Sequence, residues 1–306
     1  MLINHGHASA LRVRPYAPGQ ERKSRMWAQK IARLALRSLY EELVLYPKPG
    51  LVSLRDNGSH QDMNAQTFMR SLFSLRRYFK AICLAGADGA DFDALKQLGI
   101  AAEKRMLLAT GDINTHRGAI FALGMLCAAA GHCLQTRQAL TTDHLRHTLT
   151  SLWGAALLHH SAALTPDANP SHGQQAAQRY QVSGAREEAA MGFPSIFELA
   201  LLRLQKTLEE GRDFSCAQID TLFVLMAHIS DTNLYHRGGE QGIAFVQQTA
   251  RRFMDDGGTA QTKWIVAAQA CHQQFVARRL SPGGAADLLA ATCFVHWCTT
   301  ELIEAS

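Results

Sequence analysis

Apolar residues recur along this chain of 306 residues at the three- and four-residue spacing of amphipathic helices. The first apolar stripe must end before Pro47, because proline breaks a helix interior, and it consists of Trp27, Ile31, Leu34, Leu39 and Leu43. A second stripe follows Asn64, its expected N-cap, and consists of Phe68, Leu72, Leu75, Phe79 and Ile82. Further stripes, with Asp143 and Ser195 as expected N-caps, occupy 95–109, 115–134, 143–160, 195–210, 217–230, 241–255, 260–279 and 285–303.

This pattern predicts an all-α protein, because no segment shows the period-two alternation between turns that the strands of an α/β fold need. The eight prolines leave long proline-free stretches between them, which suits long helices. We expect a compact single-domain bundle of about ten helices with polar, motif-bearing helix junctions. The irregular connection from 165 to 194 is expected to contain a short helix near 174–180. We expect a basic, flexible leader at 1–25, followed by an all-helical catalytic domain at 26–306.

The charge distribution sets the leader apart from the rest of the chain. Residues 1–30 hold six cationic side chains against one carboxylate, so residues 31–306 balance at 25 against 25 although the net charge is +5. A balanced domain argues against a basic face for nucleic acid. The longest apolar stretch, 118–131, is shorter than the roughly 20 residues that span a bilayer, and the leader lacks the apolar region of a secretory signal. We therefore expect a cytoplasmic protein that binds neither membrane nor nucleic acid.

Several familiar sites are poorly supported by the sequence. The seven cysteines include no CxxC pair and fall mostly in apolar helical patterns, which indicates buried, reduced thiols. Neither an HExxH motif nor a paired Cys/His spacing occurs, so a zinc site is disfavoured. A GxxxxGK[ST] loop and a GxSxG elbow are also missing. Any nucleotide must therefore be bound without a P-loop.

Polar residues and glycines concentrate instead at five predicted helix junctions: 47–63, 111–119, 183–194, 231–242 and 281–289. These five junctions mix carboxylates with Lys and Arg beside glycines that expose backbone N–H groups. That combination suits a polyphosphate held by cations and, through Mg²⁺, by carboxylates. At 111–119, the free N–H groups of a helix start and Arg117 would suit an anion. The residues alone indicate a helical enzyme acting on a phosphorylated small molecule.

Each junction taken alone also has an ordinary structural explanation. The NGSH and SPGG segments fit simple turns and caps. His116 and His236 are typical of hydrogen-bonded structural histidines, and Glu187 and Glu188 of a solvated helix face. Glu42 would be a surface residue of the first helix. Only the joint occurrence of the five junctions favours a functional site.

In their order along the chain, the junction motifs resemble those of the triphosphoribosyl-dephospho-CoA synthase family. The similarity runs from about Leu34 to about Phe294 and consists of PKPGLV with NGSHQDM, NTHRGAIFALGMLCAAAG, GAREEA with GFP, DTNLYHRGG, and LSPGGAADLLA. It implies an all-helical catalytic domain that joins ATP to 3′-dephospho-CoA and releases adenine. It also implies a partner: a phosphoribosyl-dephospho-CoA transferase that passes the product to an acyl-carrier protein as its prosthetic-group precursor.

The family has two branches, which serve citrate lyase and malonate decarboxylase. Ser53 follows PKPGLV where the citrate lyase branch usually has Asp, and SLFSLRRYF, HRGG and FVARRLSPGGAADLLAA are more similar to the malonate decarboxylase branch. The resemblance therefore favours the malonate decarboxylase branch, with the citrate lyase counterpart as the alternative. Asp112 and Glu187 depart from the family pattern and are left out of the candidate site.

The resemblance also implies a set of site residues, all at matching motif positions. The catalytic candidates are Glu188, His116, Asp287 and Glu42. The substrate-binding candidates are Lys48, His60, Asn114, Arg186, Asn233 and Arg237. Asp62 and Asp231 are the candidate ligands of a Mg²⁺ cofactor. Within this set, Glu188 is the expected base and His116 the group that protonates or orients adenine, while Lys48, Arg186 and Arg237 hold phosphates.

Two rival functions remain open on the sequence. A helical nucleotide N-glycoside or ADP-ribosyl hydrolase would share the chemistry at the ribose C1′ atom, with water in place of the attacking hydroxyl. A helical scaffold or carrier-protein-binding module would use the same polar junctions merely as caps. Product analysis separates the first rival from the transferase, and ligand binding separates the second.

Overall fold

The computed structural model describes residues 20–162 and 185–302, and these two ranges contain helices and no strand. The helices are α1 (Gln20–Val44), α2 (Ala65–Ser74), α3 (Arg76–Ala87), α4 (Phe92–Thr110), α5 (Arg117–Gln135), α6 (Thr142–Leu149), α7 (Ala155–Ala162), α8 (Ala185–Ala190), α9 (Leu201–Glu209), α10 (Phe214–His228), α11 (Thr232–Asp255), α12 (Trp264–Ala277) and α13 (Gly283–Glu301). The predicted all-α class is confirmed. The predicted helix near 174–180 and most of the predicted leader lie outside the described residues.

Short segments of other helix types link these elements. A π-helical turn at Thr150–Gly154 joins α6 to α7, and a second at Ser195–Ala200 leads into α9. A 3₁₀ turn at Gly258–Ala260 separates α11 from α12. The two π-helical turns continue directly into α7 and α9. The apolar stripes predicted at 143–160 and 195–210 therefore each lie on one uninterrupted helical segment.

Helix α5 is the centre of the fold, and it packs against α1, α3, α4, α6 and α13. Close packing depends on small residues, because a Cβ atom added at Gly131 would collide with the backbone of Cys83 on α3. By length and composition α5 could cross a membrane, but most of its surface is buried inside the fold, as in a core helix. All seven cysteines are free thiols, and only Cys216 is not buried.

Helix α1 brings the N-terminal apolar stripe onto this core. It packs against α3 and α13 and begins at Gln20, so residues 20–25 continue the helix of the domain. Ile31 and Leu39 are fully buried on the inner face. On the outer face the Arg37 guanidinium stacks 4.0 Å from the centre of the Trp297 ring and pairs with Glu301 at 2.7 Å.

The helix boundaries correct several predictions. The stripe from Phe68 to Ile82 belongs to two helices, which break at Leu75. Asn64 caps α2 as predicted, accepting the N–H of Thr67. Thr141 caps α6 in place of Asp143, which lies in the first turn, where its charge favours the positive end of the helix dipole. Ser195 is not a cap either, because it is the first residue of the π-helical turn and Pro194 occupies the cap position.

Helix α11 starts nine residues before its predicted apolar stripe and runs through most of the junction at 231–242. Glycines interrupt the apolar periodicity of this helix, so the sequence pattern does not show its first turns. Gly239 has φ 58° and ψ −157°, which kinks the helix. At Gly238 a Cβ atom would lie 2.6 Å from the Leu280 side chain, so the missing side chain lets α11 approach the loop before α13.

A buried ion network fastens α9 and α10 to the 3₁₀ turn. Asp220 is fully buried and accepts hydrogen bonds from Arg203 at 2.5 Å, Arg212 at 2.7 Å, Thr207 at 3.0 Å and the Thr259 backbone at 2.8 Å. Because both carboxylate oxygens are bound by protein groups, this network is structural. The sequence did not single out any of its members.

Candidate active site

Hydrogen bonds and close contacts join four of the five predicted junctions. The loop 47–63 meets the start of α13 where His60 contacts Ser281, and it meets α11 where Arg237 contacts His60. The start of α13 in turn binds the start of α11 and the start of α5, through Asp231 and Asp287 respectively. These elements bring polar side chains from distant parts of the chain into one region. We call this region, lined by Glu42, Lys48, His116, Asp231 and Asp287, the junction cluster.

Glu42 and Lys48 form a buried ion pair at the end of α1. The Lys48 side chain is 1% exposed, and its Nζ atom donates to Glu42 Oε1 at 2.5 Å and to the Glu42 carbonyl at 2.6 Å. Burial lowers the pKa of Lys48, although the charges of Glu42 and Asp56 oppose that shift. The interpretation of Glu42 as a surface residue is therefore wrong. Since an ammonium group has three donors and two are bound within the described residues, the third N–H of Lys48 is left for a ligand.

The turn that carries Lys48 is held from α12. His272 Nδ1 lies 3.0 Å from the Lys48 carbonyl, and its Nε2 lies 3.2 Å from Asp56 Oδ1. Gly50 has φ 71°, and a Cβ atom there would collide with the Leu280 carbonyl. The turn thus needs a glycine twice over, for its backbone conformation and for the close approach of the α12–α13 loop.

His116 lies at the start of α5 and is 3% exposed. Its Nδ1 atom contacts Ser71 Oγ at 2.6 Å, and its ring packs edge-on against Phe68 with centroids 5.0 Å apart. Burial, reinforced by the positive charge of Lys48, lowers the pKa of His116 to about 3. The ring is therefore neutral near pH 7. The expected role of His116 in protonating or orienting adenine stays a prediction, and a neutral ring favours orientation through a hydrogen bond.

Asp287 lies near the start of α13, just beyond its first turn, and faces the first turn of α5. It accepts a hydrogen bond from the Ala119 backbone N–H, and its Oδ2 atom occupies the space that a Cβ atom at Gly118 would need. Burial raises the pKa of Asp287, and the negative charges of Glu42 and Asp231 raise it further. Asp287 is therefore a carboxylate with raised proton affinity. It lies near the carboxylate of Glu42, which is paired with Lys48.

Asp231 ties the starts of α11 and α13 together. Its Oδ1 atom accepts the N–H of Asn233 at 2.9 Å, and its Oδ2 atom accepts the N–H of Ala285 at 3.1 Å. The side chain is 3% exposed, and burial raises its pKa against the effect of these hydrogen bonds. Asn233 packs beside Gly283, where a Cβ atom would lie 3.0 Å from its amide nitrogen. Both residues therefore organise the junction as well as lining it.

His60 and Arg237 form a second polar group at the rim of the cluster. Arg237 donates to His60 Nδ1 at 3.0 Å and to the carbonyls of Ser59 and Arg279, each at 3.3 Å. Since Nδ1 accepts this bond, the neutral ring carries its hydrogen on Nε2 and donates to Ser281 Oγ at 2.8 Å. Burial and the charge of Arg237 lower the pKa of His60 to about 4.

The two candidate magnesium ligands differ in their surroundings. Asp62 is 61% exposed and lies 3.6 Å from His60 Nδ1, whereas both oxygens of Asp231 already bind backbone N–H groups. Within residues 20–162 and 185–302, no three His, Cys, Asp or Glu side chains gather as a metal site requires. Mg²⁺ commonly binds one or two carboxylates together with substrate phosphates, and the open Asp62 carboxylate fits that mode. The magnesium cofactor stays a prediction.

The start of α5 is not the open anion site that its sequence suggested. Arg117 pairs with Glu103, and its backbone N–H donates to Asn114 Oδ1 at 3.2 Å. The Ala119 N–H is bound by Asp287. The carboxylate of Asp287 and the amide of Asn114 therefore occupy donors that an anion would need, and Asn114 itself is solvent-exposed.

The third junction, on α8, holds Glu188 and Arg186. Glu188 Oε1 accepts the Ser195 N–H at 2.7 Å, which caps the following helix. Helix α8 contacts α5, and Phe193 packs against Phe121 with centroids 6.5 Å apart. In the part of the chain that the structure describes, no hydrogen bond or ion pair links Glu188 or Arg186 to the junction cluster. Their catalytic and phosphate-binding roles stay predictions.

Sequence reasoning missed Ser71, Ser281 and His272, all of which hold residues of the site. Ser71 had a recognisable signal, because it is a polar residue next to Leu72 on the apolar side of its helix, and such residues need a partner. Ser281 lies inside the SPGG segment and was explained as a turn. His272 carried no signal, since it occurs singly on α12 and acts through a loop more than 200 residues earlier.

Comparison with known proteins gives one consistent family. The family described as "CitG: ATP:dephospho-CoA triphosphoribosyl transferase" matches residues 28–304. An Acinetobacter calcoaceticus protein named "Probable 2-(5''-triphosphoribosyl)-3'-dephosphocoenzyme-A synthase" is 40% identical over 88% of this chain and 90% of its own length. An Escherichia fergusonii protein named "2-(5''-triphosphoribosyl)-3'-dephosphocoenzyme-A synthase" is 34% identical over 89% of this chain and 92% of its own. No solved structure matches the chain.

Proposed function

We propose that this chain, which belongs to the CitG family of ATP:dephospho-CoA triphosphoribosyl transferases, joins ATP to 3′-dephospho-CoA with release of adenine. The product would be 2′-(5″-triphosphoribosyl)-3′-dephospho-CoA. One observation carries the proposal: the family match extends over 28–304 and so includes all the elements that meet at the junction cluster. A carboxylate with raised pKa, a neutral imidazole and a buried lysine converge there.

The reaction is a substitution at C1′ of the ATP ribose. The 2′-hydroxyl oxygen of dephospho-CoA forms a bond to C1′, the C1′–N9 bond breaks, and its electron pair leaves with adenine. The proton lost by the hydroxyl balances the proton that adenine gains. Such centres pass through an oxocarbenium-like state, which nearby carboxylates stabilise. Glu42 and the ionised form of Asp287 are the carboxylates of the junction cluster that would take that role.

Asp287 is the base that the geometry supports best. The hydroxyl needs a group that accepts its proton, and a carboxylate with raised pKa holds a proton more firmly than an ordinary one. Glu188, the expected base, caps the segment after α8 through the Ser195 N–H, and within the described residues no hydrogen bond or ion pair links it to the junction cluster. We therefore place Asp287 ahead of Glu188.

The triphosphate requires local cations, because residues 31–306 carry no net charge. Lys48, with one ammonium N–H to spare, binds phosphate at the buried end of the site, and Arg237 and Arg186 bind it nearer the surface. Asp62 would hold Mg²⁺ together with the phosphates, and the bound ion would neutralise part of their charge. Binding would require Arg237 to exchange a carbonyl partner for a phosphate oxygen.

The product would supply malonate decarboxylase rather than citrate lyase. Ser53 and the HRGG and FVARRLSPGGAADLLAA segments support this branch. A phosphoribosyl-dephospho-CoA transferase would then pass the group to the acyl-carrier protein in the cytoplasm. Intact-mass measurement of both acyl-carrier subunits in cells lacking this chain tests the assignment: we expect the malonate decarboxylase carrier alone to lose its prosthetic group, and loss from the citrate lyase carrier would contradict it.

Adenine release tests the activity and the role of Asp287 together. Wild-type protein should release adenine only when ATP and dephospho-CoA are both present, and Asp287→Asn should reduce the rate by about 10²-fold or more. Asp143→Asn, which changes an exposed carboxylate on α6, is the matched control and should keep the wild-type rate. Adenine released from ATP alone would favour the hydrolase. A protein that neither releases adenine nor binds either substrate would favour the scaffold.

A further inference from the structure

His116 is held on one side by a residue to which neither the sequence nor the comparisons assign a role. Ser71 lies on the buried face of α2 with no exposed surface, and its Oγ atom is 2.6 Å from His116 Nδ1. The His116 backbone N–H contacts Met106 Sδ at 3.4 Å, and Phe68 covers one edge of the ring. The imidazole is therefore fixed in position before any ligand arrives.

The hydrogen-bond pattern assigns the tautomer of this ring. The structure gives the Ser71 hydroxyl one hydrogen-bond partner in the described ranges, namely His116 Nδ1. A buried hydroxyl that donates to nothing is costly, so Ser71 is the donor and Nδ1 the acceptor. A neutral imidazole with an unprotonated Nδ1 carries its hydrogen on Nε2.

The opposite ring nitrogen is left without a partner. His116 Nε2 is buried and has no hydrogen-bond partner among the residues that the structure describes. An unpaired N–H in such a position indicates a missing acceptor. Lys48, close enough for its charge to lower the pKa of His116, lies in the same cluster as Glu42 and Asp287. The unpaired N–H therefore belongs to the site in which the proposed reaction takes place.

We propose that Ser71 is a positioning residue that holds His116 as an Nε2–H donor, and that this donor binds an unprotonated ring nitrogen of the adenine leaving group. The inference rests on the proposed function. As the C1′–N9 bond breaks, its electron pair moves onto the base, so a hydrogen bond to a ring nitrogen strengthens in the transition state. No proton leaves His116 in this step. The site would thus select a base that presents an acceptor nitrogen.

Nitrogen NMR of histidine-labelled full-length protein tests the tautomer without requiring activity. His116 is assigned by its absence from a His116→Asn spectrum. We expect one protonated and one unprotonated ring nitrogen from pH 5 to pH 8, with the hydrogen on Nε2. Adding adenine should shift the Nε2 resonance, and Ser71→Ala should shift the Nδ1 resonance as its hydrogen bond is lost. A hydrogen on Nδ1, or on both nitrogens at pH 7, would overturn the proposal.

Kinetics separate positioning from stability. Ser71→Ala should lower kcat for adenine release about tenfold, while KM for dephospho-CoA stays within about twofold. Ser38→Ala is the control, because Ser38 is equally buried and the one partner of its hydroxyl within 20–162 and 185–302 is a backbone carbonyl, that of Leu34. Equal kcat losses in the two variants would contradict the positioning role. If wild-type protein released no adenine but His116 still showed the Nε2–H form, the proposed function would have failed while the tautomer assignment stood.

Discussion

At the scale of single residues, the site is built from charged groups that already have protein partners. The Lys48 ammonium binds two oxygens of Glu42, and Arg237 binds two carbonyls and a histidine. A substrate phosphate must therefore compete with these partners, and the pairing holds the cations in place until it arrives. Burial fixes the position of Lys48, and the carbonyls of Ser59 and Arg279 hold Arg237 at the rim, so a chain with a neutral body can present localised positive charge.

The buried Glu42–Lys48 pair predicts that removing one of the two charges destabilises the protein more than removing both. Lys48→Met leaves Glu42 as an uncompensated buried charge and should lower the free energy of unfolding by about 3–5 kcal/mol. The double variant Glu42→Gln/Lys48→Met removes both charges and should lose less than Lys48→Met alone. Urea unfolding of wild-type protein and these two variants measures the losses, with the exposed Lys104→Met as control at less than about 0.5 kcal/mol. A double variant less stable than Lys48→Met would contradict the pairing.

His116 predicts a pH dependence of stability. Its pKa is about 3 in the folded protein and about 6.5 when unfolded, so between these values only the unfolded state takes up the proton. The stability advantage is complete above pH 6.5 and is lost as pH falls toward 3. Relative to His116→Gln, wild-type protein should lose about 2 kcal/mol of unfolding free energy between pH 7 and pH 5. Equal losses in urea titrations of the two proteins would show that His116 is not buried as described.

At the scale of elements, the junctions bring the starts of helices together, and glycines determine how closely those helix starts approach one another. The start of α13 approaches α5 at Gly118 and α11 at Gly284, where a Cβ atom would lie 3.0 Å from Asp231. Carboxylates fill both spaces. The glycines in the junctions 111–119 and 281–289 thus leave room for the acidic side chains of neighbouring helices, rather than for phosphate.

Gly118→Ala tests this packing directly. The added methyl group would occupy the space of Asp287 Oδ2 and push the carboxylate away, so adenine release should fall at least tenfold. Gly99→Ala is the matched control, because it lies in helix α4 with its nearest neighbour at 3.7 Å and should keep wild-type activity. Circular dichroism checks that both variants keep their helices. Full activity in Gly118→Ala would mean that the position of Asp287 does not matter.

Asp231→Asn separates a structural role from a metal-binding role. Asparagine can still cap α11, but its amide would bring a donor near the Ala285 N–H, so stability should fall by about 1–3 kcal/mol. Because both carboxylate oxygens serve the backbone, the magnesium concentration for half-maximal activity should stay unchanged. Asp62→Asn should raise it. A tenfold rise in Asp231→Asn instead would establish Asp231 as a metal ligand.

The sequence predicted the elements well because the relevant signals are local. The apolar stripes, the proline at 47 and the Asn64 cap each depend on a few neighbouring residues. The break at Leu75 and the π-helical turns were missed because they preserve the apolar face that periodicity detects. The junction at 231–242 was misread because its glycines pack closely inside a kinked helix.

The site was predicted less completely because its contacts are long-range. Motif order identified residues that belong together, but not which side chains pair. Nothing local shows that Glu42 is buried against Lys48, or that Asp287 and Asn114 bind the N–H groups that were expected to hold an anion. For His116 the sequence left protonation and orientation of adenine both open, because the groups that keep the ring neutral lie on α2 and at Lys48, far from it along the chain.

At the scale of the whole molecule, the net positive charge and the helical domain that matches the family lie in largely different parts of the chain. The net charge of +5 lies in the first thirty residues, whereas the family match starts at residue 28. The domain that carries the junction cluster is neutral, and its affinity for anionic substrates must come from a few placed cations. A general attraction to polyanions is therefore no part of the proposed function.

Mass spectrometry of the products tests the central proposal most directly. Wild-type protein incubated with ATP, Mg²⁺ and 3′-dephospho-CoA should yield adenine and, in equal amount, one new species with the combined mass of the two substrates less adenine. Asp287→Asn should yield neither above background. Adenine accompanied by free ribose triphosphate, with no dephospho-CoA adduct, would contradict the account and establish a hydrolase in its place.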